Sequence, residues 1–286
     1  MDRGFRDVVE YVREKGYKAI LPALKGKRKH LPTDEANLSR FVTKIRFAVE
    51  VVHGMIGQKF KLLHNQFKNK SLEKLETYVK IANFLHNQFS KRLKSDPEMT
   101  DLIVERMKSR LDSKNTLAEE VEIGRYNRRP KLFGKLVPSA LEDFPKLELD
   151  ELKLLFCGTY QLSQAICYLA ELLDEEDEIF DIEYFKEEEN ILRFHVHSRH
   201  VKRNVYKCYI DYKANQDNID GIPRYCCDCP NGLRTVGCCC HVAAIIYYLS
   251  YARYLEVVMR PASFLNELFL EKQIVPVINQ DSEEED

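Results

Sequence analysis

Long apolar stretches, internal repeats and a marked net charge are all missing from this 286-residue sequence. The longest apolar run, residues 242–252, is far shorter than the roughly 20 residues that cross a bilayer. The first residues also lack the apolar core of a secretory signal. We therefore expect a soluble, intracellular protein that spans no membrane. A net charge of -1 by itself favours neither a nucleic acid nor an acidic ligand.

Cysteine is also missing from the first 156 residues, yet nine cysteines follow, and six of them lie between Cys226 and Cys240. An odd number of thiols in a reducing compartment argues against a disulfide framework. Clustered cysteines beside a histidine indicate a metal site instead.

The charges are distributed unevenly along the chain. Residues 1–95 hold 21 Lys or Arg against 9 Asp or Glu, whereas residues 142–192 hold 3 against 16. A basic first third suits a surface that faces a polyanion, because neutralising phosphates releases counterions. A solvated helical surface explains the same charges, so both interpretations stay open at this point.

Hydrophobic spacing predicts helices before residue 174 and strands after it. Apolar residues recur at intervals of three and four over 33–66, 71–91 and 149–173, whereas strict alternation follows over 180–185, 191–198 and 205–212. In the first helix, the stripe predicted to face inward consists of Phe41, Ile45, Val49, Val52 and Ile56.

Two pairs of donors, each at i and i+2, predict the metal site. Both thiols of Cys227-Asp228-Cys229 point to one side of an extended segment, and Cys239-Cys240-His241 repeats that spacing. Three thiolates and one imidazole are a ligand set of tetrahedral structural zinc. Because protein side chains fill all four positions, we expect the ion to be structural and not catalytic.

Three further cysteines compete for this site. Alternation argues against Cys226 and Cys240, which face away from their neighbours. Cys238 is the serious rival of Cys239, and the residues alone leave that choice open. A structural disulfide or free buried thiols are the other interpretations of the cluster.

The pattern C-x-C, a spacer, C-x-H and then an apolar helix resembles the SWIM zinc finger, over about residues 180–255. The stretch Gly232-Leu233-Arg234-Thr235-Val236-Gly237-Cys238-Cys239-Cys240-His241 closely resembles the version fused to Harbinger-like DDE transposases. In that family a Ser commonly stands where Cys240 does, which supports leaving Cys240 out of the ligand set. The resemblance implies DNA binding or protein interaction.

Residues 2–7 and 35–50 are similar to the end of the nuclease domain of the same transposases. By this likeness Asp2 matches the second metal-binding aspartate, and Glu50 matches the final glutamate. The resemblance places the first aspartate, with most of the sheet that positions it, upstream of Met1. DDE chemistry needs three carboxylates to hold two Mg²⁺ ions, so we expect Asp2 and Glu50 to be vestigial and this chain to have no nuclease activity.

Together these observations predict an α+β chain in four parts. Zn²⁺ is the expected cofactor, and Mg²⁺ is expected only if an intact DDE domain exists. The basic residues expected to contact nucleic acid are Arg40, Lys44 and Arg46. The predicted parts are a truncated RNase H-like DDE remnant at 1–94, a helical linker at 95–148, a helix with antiparallel strands and a SWIM ββα zinc finger at 149–260 (core 180–255), and a tail with an acidic disordered end at 261–286.

The predicted function is zinc binding by a nuclear transposase remnant that binds DNA or protein without nuclease activity. The alternative is the second half of an active metal-dependent DDE nuclease whose N-terminal part is missing from this chain. A third interpretation is a protein-interaction adaptor that uses the sheet and its acidic helix in place of the basic surface.

Overall fold

The computed structural model describes residues 3–64, 69–90, 96–175, 180–188, 190–198 and 203–255. Contacts divide the chain into two compact units. Among the described residues, the first unit contains those up to Pro22 together with 41–96, and the second contains Ala23–Arg40 together with those from Pro97 onward. Helix α2 therefore begins in one unit and continues in the other.

Helices make up most of the described part of the first unit, and the second unit contains helices together with a sheet. Short 3-10 turns connect several of them. Among the described residues, no helix is both long and apolar enough to span a membrane. The α-helices are α1 (Val9–Glu14), α2 (Thr33–Lys59), α3 (Lys61–His64), α4 (Leu75–Phe89), α5 (Pro97–Arg110), α6 (Thr116–Ile123), α7 (Leu149–Leu155), α8 (Thr159–Glu175) and α9 (Cys240–Ser250).

An antiparallel sheet in which each strand pairs with its neighbours in sequence forms the centre of the second unit. The chain is therefore α+β, as predicted, and the three predicted strands are confirmed to within one residue. Residues 95–148 are not purely a helical linker, because they supply the first strand of the sheet. The strands are β1 (Phe133–Leu136), β2 (Asp181–Phe185), β3 (Ile191–His197), β4 (Val205–Asp211) and β5 (Arg224–Cys227).

The two faces of this sheet bury different cores. One face packs against α8 and α9 and includes Phe194, Ile210 and Cys227. The other face packs against α6 and includes Tyr209 and Cys226. Because side chains alternate along a strand, the neighbours Cys226 and Cys227 belong to opposite cores, and only Cys227 faces α9.

The helix predicted over 149–173 is broken into α7 and α8. Cys157 and Gly158 between them have φ values of 56° and 122°, and the Gly158 N–H donates to the Lys153 carbonyl at 2.7 Å. Glycine enters the left-handed region without steric cost and commonly ends helices in this way. Gly158 was the signal in the sequence that a continuous helix does not run through this point.

The predicted inward stripe of α2 is wrong at Ile45 and Val49, whereas Phe41, Val52 and Ile56 are half-buried. Ile45 is 70% exposed and Val49 is 51% exposed, whereas Val42 and Met55 are buried. The helix itself begins at Thr33 as predicted, with acidic residues in its first turn. The helix was predicted correctly, but its most deeply buried apolar residues in the first unit lie beside the predicted stripe.

Residues 23–40 are an integral part of the second unit. Leu31 and Ala36 are buried, and the Leu31 N–H donates to the Pro230 carbonyl at 3.0 Å. The Ser39 hydroxyl accepts from the Ala23 N–H at 2.8 Å and so closes this segment on itself. The predicted boundary at residue 94 separates this segment from residues that it contacts.

Asn37 connects the start of α2 to a loop that follows β5 through hydrogen bonds of its side chain. Its fully buried side-chain oxygen accepts from the N–H groups of Thr235 (2.8 Å) and Val236 (3.1 Å). Its amide nitrogen donates to the Leu111 carbonyl at 2.9 Å and to the Thr235 hydroxyl at 2.8 Å. One side chain thus satisfies the buried polar groups of two separate loops, as buried polar groups require.

We predict that Asn37→Ala lowers the free energy of unfolding by about 2–4 kcal/mol, because two buried N–H groups lose their acceptor. Urea denaturation followed by circular dichroism measures this loss. Glu35→Ala, in the same helical turn, is the matched control. Glu35 forms an exposed pair with Arg28, and exposed pairs contribute little, so the control should unfold like the wild type. Equal stability of the two variants would contradict the role given to Asn37.

Candidate metal centre

The first donor pair lies on a tight turn at the end of β5. The Cys227 N–H donates to the Gly232 carbonyl and the Gly232 N–H to the Cys229 carbonyl, both at 3.0 Å, so the chain reverses within six residues. A Cβ on Gly232 would lie 2.0 Å from the Cys227 carbonyl oxygen. Only glycine fits there, which explains why the turn that presents both thiols contains one.

The second donor pair lies at the start of α9. Cys239 is the N-cap residue of the helix, and its carbonyl accepts from the Ala243 N–H at 2.9 Å. His241 follows in the first turn. The positive end of a helix dipole favours negative charge in its first turn, so α9 places Cys239 where a thiolate is stabilised.

The structure brings all four predicted ligands together. The sulfurs of Cys227, Cys229 and Cys239 and a ring nitrogen of His241 lie within 4.8 Å of one another, and all four residues are buried. Zn–S bonds of about 2.3 Å and Zn–N bonds of about 2.0 Å require ligand atoms that converge on this scale. The donor types, their number and their spacing therefore fit a tetrahedral zinc ion.

The electrostatics of the cluster also favour a cation. Burial raises the pKa of the Cys227 thiol well above its ordinary value. Hydrogen bonds from Cys227 and Cys229 lower the pKa of Cys239. Burial opposes a charge on His241, but its hydrogen bonds with Cys229 and Cys239 outweigh burial and raise the pKa of the imidazole. Three thiolates at this depth need a positive ion, since unpaired buried charges are costly.

The rival cysteines do not join the cluster. Cys226 belongs to the core on the other face of the sheet. Cys238 is fully buried and interacts electrostatically with Arg40, Arg234 and Cys157, but its sulfur is not among the four converging atoms. The geometry therefore favours Cys239 over Cys238, a choice that spacing alone left open.

Arg40 is not the surface contact that the sequence suggested. It is 3% exposed, and its guanidinium donates to the Gln161 side chain and to the Cys157 carbonyl. Burial lowers its pKa to about 10, which still leaves it protonated at neutral pH. Arg40 is thus an internal charge of the second unit and is withdrawn from the predicted nucleic-acid contacts.

The other predicted positions on α2 lie in the first unit. Lys44 and Arg46 are half-buried, and Arg46 pairs with the exposed Glu50 one helical turn away. An i, i+4 pair of this kind is ordinary for a helix surface. Asp2, the other residue matched to a nuclease carboxylate, lies outside the described residues.

Two basic segments line a shared cleft of the second unit, and neither was among the predicted nucleic-acid contacts. Residues 25–30 and 124–131 each contain four Lys or Arg and no acidic residue. Lys29, Arg125 and Arg128 border the cleft, which has a volume of about 560 Å³. The runs of cations were visible in the sequence, but their convergence depends on residues 23–40 joining the second unit.

The cleft also has an acidic part. Glu119, Glu122 and Asp228 lie along it. Asp228, which stands between two predicted ligands, accepts from the Lys29 ammonium at 3.0 Å and from the Lys207 N–H at 2.9 Å. This carboxylate therefore links the basic segment 25–30 to the turn at residues 227–232 that carries the first donor pair, called the donor turn below.

Comparison with known families gives a match over the first part of the chain. The model of the DDE superfamily endonuclease family matches residues 2–87. This match supports a protein derived from a transposase, and it includes residues 23–40, which pack beside the donor turn. No curated protein and no solved structure matches the chain.

We predict that Cys239→Ser abolishes metal binding and unfolds the second unit, because metal-binding free energy at a structural site is also folding free energy. Cys238→Ser is the matched control, since it removes an adjacent buried thiol that lies outside the cluster. Zinc per chain, measured by atomic emission together with thermal melting, distinguishes the two variants. Loss of zinc in the Cys238 variant and its retention in the Cys239 variant would reverse the assignment.

Proposed function

We propose that this chain is a zinc-stabilised, non-enzymatic remnant of a transposase that binds nucleic acid. The observation that carries the proposal is the buried convergence of three cysteines and one histidine beside a segment matched to a DDE endonuclease family. Zinc has the role of a structural ion, because four protein donors complete a tetrahedral site. A nuclear location follows from this proposal.

The order of elements around the donors supports a SWIM-type module. Strands β4 and β5 lead into the first donor pair, and α9 follows the second, which gives a ββα arrangement. The spacer between the pairs is held by Asn37 from outside the module. We therefore propose that the metal orders the spacer as well as the helix, and that residues 23–40 complete the module.

The environment of Glu50 supports the absence of nuclease activity. Its carboxylate is 57% exposed and pairs with Arg46, which is the arrangement of a solvated helix surface. Catalytic carboxylates that hold two metal ions need fixed positions on a rigid platform. The alternative, the second half of an active nuclease, requires Glu50 to leave this pair and join carboxylates supplied from elsewhere.

The basic cleft supports nucleic acid as the ligand. Lys27, Arg128 and Arg129 are exposed, and guanidinium groups bind phosphate oxygens in a two-pronged geometry. The acidic residues within the cleft oppose deep entry of a phosphate. We therefore propose that a sugar-phosphate backbone contacts the exposed cations of residues 25–30 and 124–131. A protein-interaction adaptor is the competing function and would not depend on these cations.

Metal analysis and a nicking assay on the same preparation test the first part of the proposal. We expect one zinc ion per chain and no Mg²⁺-dependent nicking of supercoiled plasmid, with Glu50→Gln indistinguishable from the wild type. Nicking that disappears in Glu50→Gln would establish the nuclease alternative. A folded wild-type chain that holds no zinc would remove the structural-ion proposal.

Salt-dependent DNA binding tests the second part. Removing two cations that contact phosphates should reduce the slope of log K against log salt by about 2. We expect this result for Lys27→Gln combined with Arg129→Gln, measured by fluorescence anisotropy. The comparison variant combines Lys44→Gln with Arg46→Gln, on the helix surface that the sequence suggested. A larger effect in the comparison variant would move the binding surface to α2, and affinity that is independent of salt would favour the adaptor.

A further inference from the structure

A fourth thiol lies next to the three thiols and one imidazole that converge. Cys208, in the middle of β4, is fully buried and is the strand partner of Cys227. It belongs to the same core as Cys227, Cys229 and Cys239. Its sulfur is not among the four atoms that meet within 4.8 Å, so it borders the predicted metal position without being one of the converging donors.

Strand geometry places the Cys208 and Cys227 side chains close together. The adjacent Asp228 N–H donates to the Lys207 carbonyl at 3.1 Å, while the Cys227 N–H turns away to the Gly232 carbonyl. Cys208 and Cys227 therefore form a non-hydrogen-bonded pair of the antiparallel ladder, the kind in which opposite side chains are nearest. Cβ atoms in such pairs are about 4.5–5.5 Å apart, so the two buried side chains face each other on the same side of the sheet.

No other described residue of the cluster has such a neighbour on the sheet. Cys229 lies on the turn after β5, and Cys239 and His241 lie at the start of α9. A thiol that faces one predicted ligand from an interior strand of the sheet is placed to exchange with that ligand and not with the other three. Ordinary core packing explains a buried cysteine, but it does not by itself place a thiol directly opposite a predicted metal ligand.

We infer that Cys208 is an alternate ligand of the metal centre, interchangeable with Cys227. With four donors in place, the Cys208 S–H donates to the Cys227 sulfur, in the manner of outer groups that orient metal ligands. When Cys227 is lost, the Cys208 sulfur binds the ion and its proton passes to the buffer, so the ion keeps three thiolates and one imidazole. This inference rests on the proposed zinc function.

Cobalt substitution tests the inference, because the charge-transfer absorption of Co²⁺ reports how many thiolates bind it. Full-length Cys227→Ser should keep one Co²⁺ per chain with the thiolate absorption of the wild type, and its affinity should fall by about tenfold. Cys229→Ser is the matched control: it removes a ligand that has no thiol strand partner, and it should bind no ion. Cys208→Ser alone should bind normally, whereas the double variant Cys208→Ser with Cys227→Ser should behave like the control.

Each other outcome has a definite meaning. Loss of Co²⁺ from Cys227→Ser, whether the variant is folded or unfolded with metal present, would overturn the inference, because Cys208 would have failed to replace the missing ligand. Retained Co²⁺ with the absorption of only two thiolates would also overturn it, since water would then fill the position. A wild-type chain that binds neither Co²⁺ nor Zn²⁺ would instead refute the proposed function.

Discussion

The second unit depends on one constraint: three sulfurs and an imidazole nitrogen converge in a place where water does not reach them. Without a cation, burial opposes the thiolate form that metal binding uses. With a cation bound, the same burial would exclude water that competes for the four metal–ligand bonds. The tight turn at Gly232 and the start of α9 follow from this convergence, because each delivers two donors from a different direction.

The bounds of the family match differ from the bounds of the two compact units. The DDE family match covers residues 2–87, yet Ala23–Arg40 from within that match belongs to the unit with the candidate metal centre. Asn37 and Arg40 are buried polar residues in this segment, and both form hydrogen bonds with residues from the second half of the chain. A segment that matches an endonuclease family thus contributes to the core beside the four converging donors.

The sequence predicted which four side chains converge, because the geometry of each pair is local. A spacing of two in an extended segment fixes where Cys227 and Cys229 point, and the apolar run after His241 predicted α9. Long-range contacts were not predictable in this way. Nothing near Asn37 in the sequence indicates that it accepts from Thr235, and Arg40 looked like a surface cation because only tertiary packing buries it. The stripe through Ile45 and Val49 failed for the same reason, since periodicity identifies an apolar face but not its partner.

The position of Asn37 has a practical consequence for anyone who isolates the metal-binding region. A fragment cut at residue 95 or 149, where the composition changes, would keep every donor but would leave the Thr235 and Val236 amides without their acceptor. In such a fragment, Asn37 would no longer hold the spacer between the two donor pairs. The smallest piece that retains the native arrangement must therefore include residues 23–40, either joined covalently or added as a separate peptide.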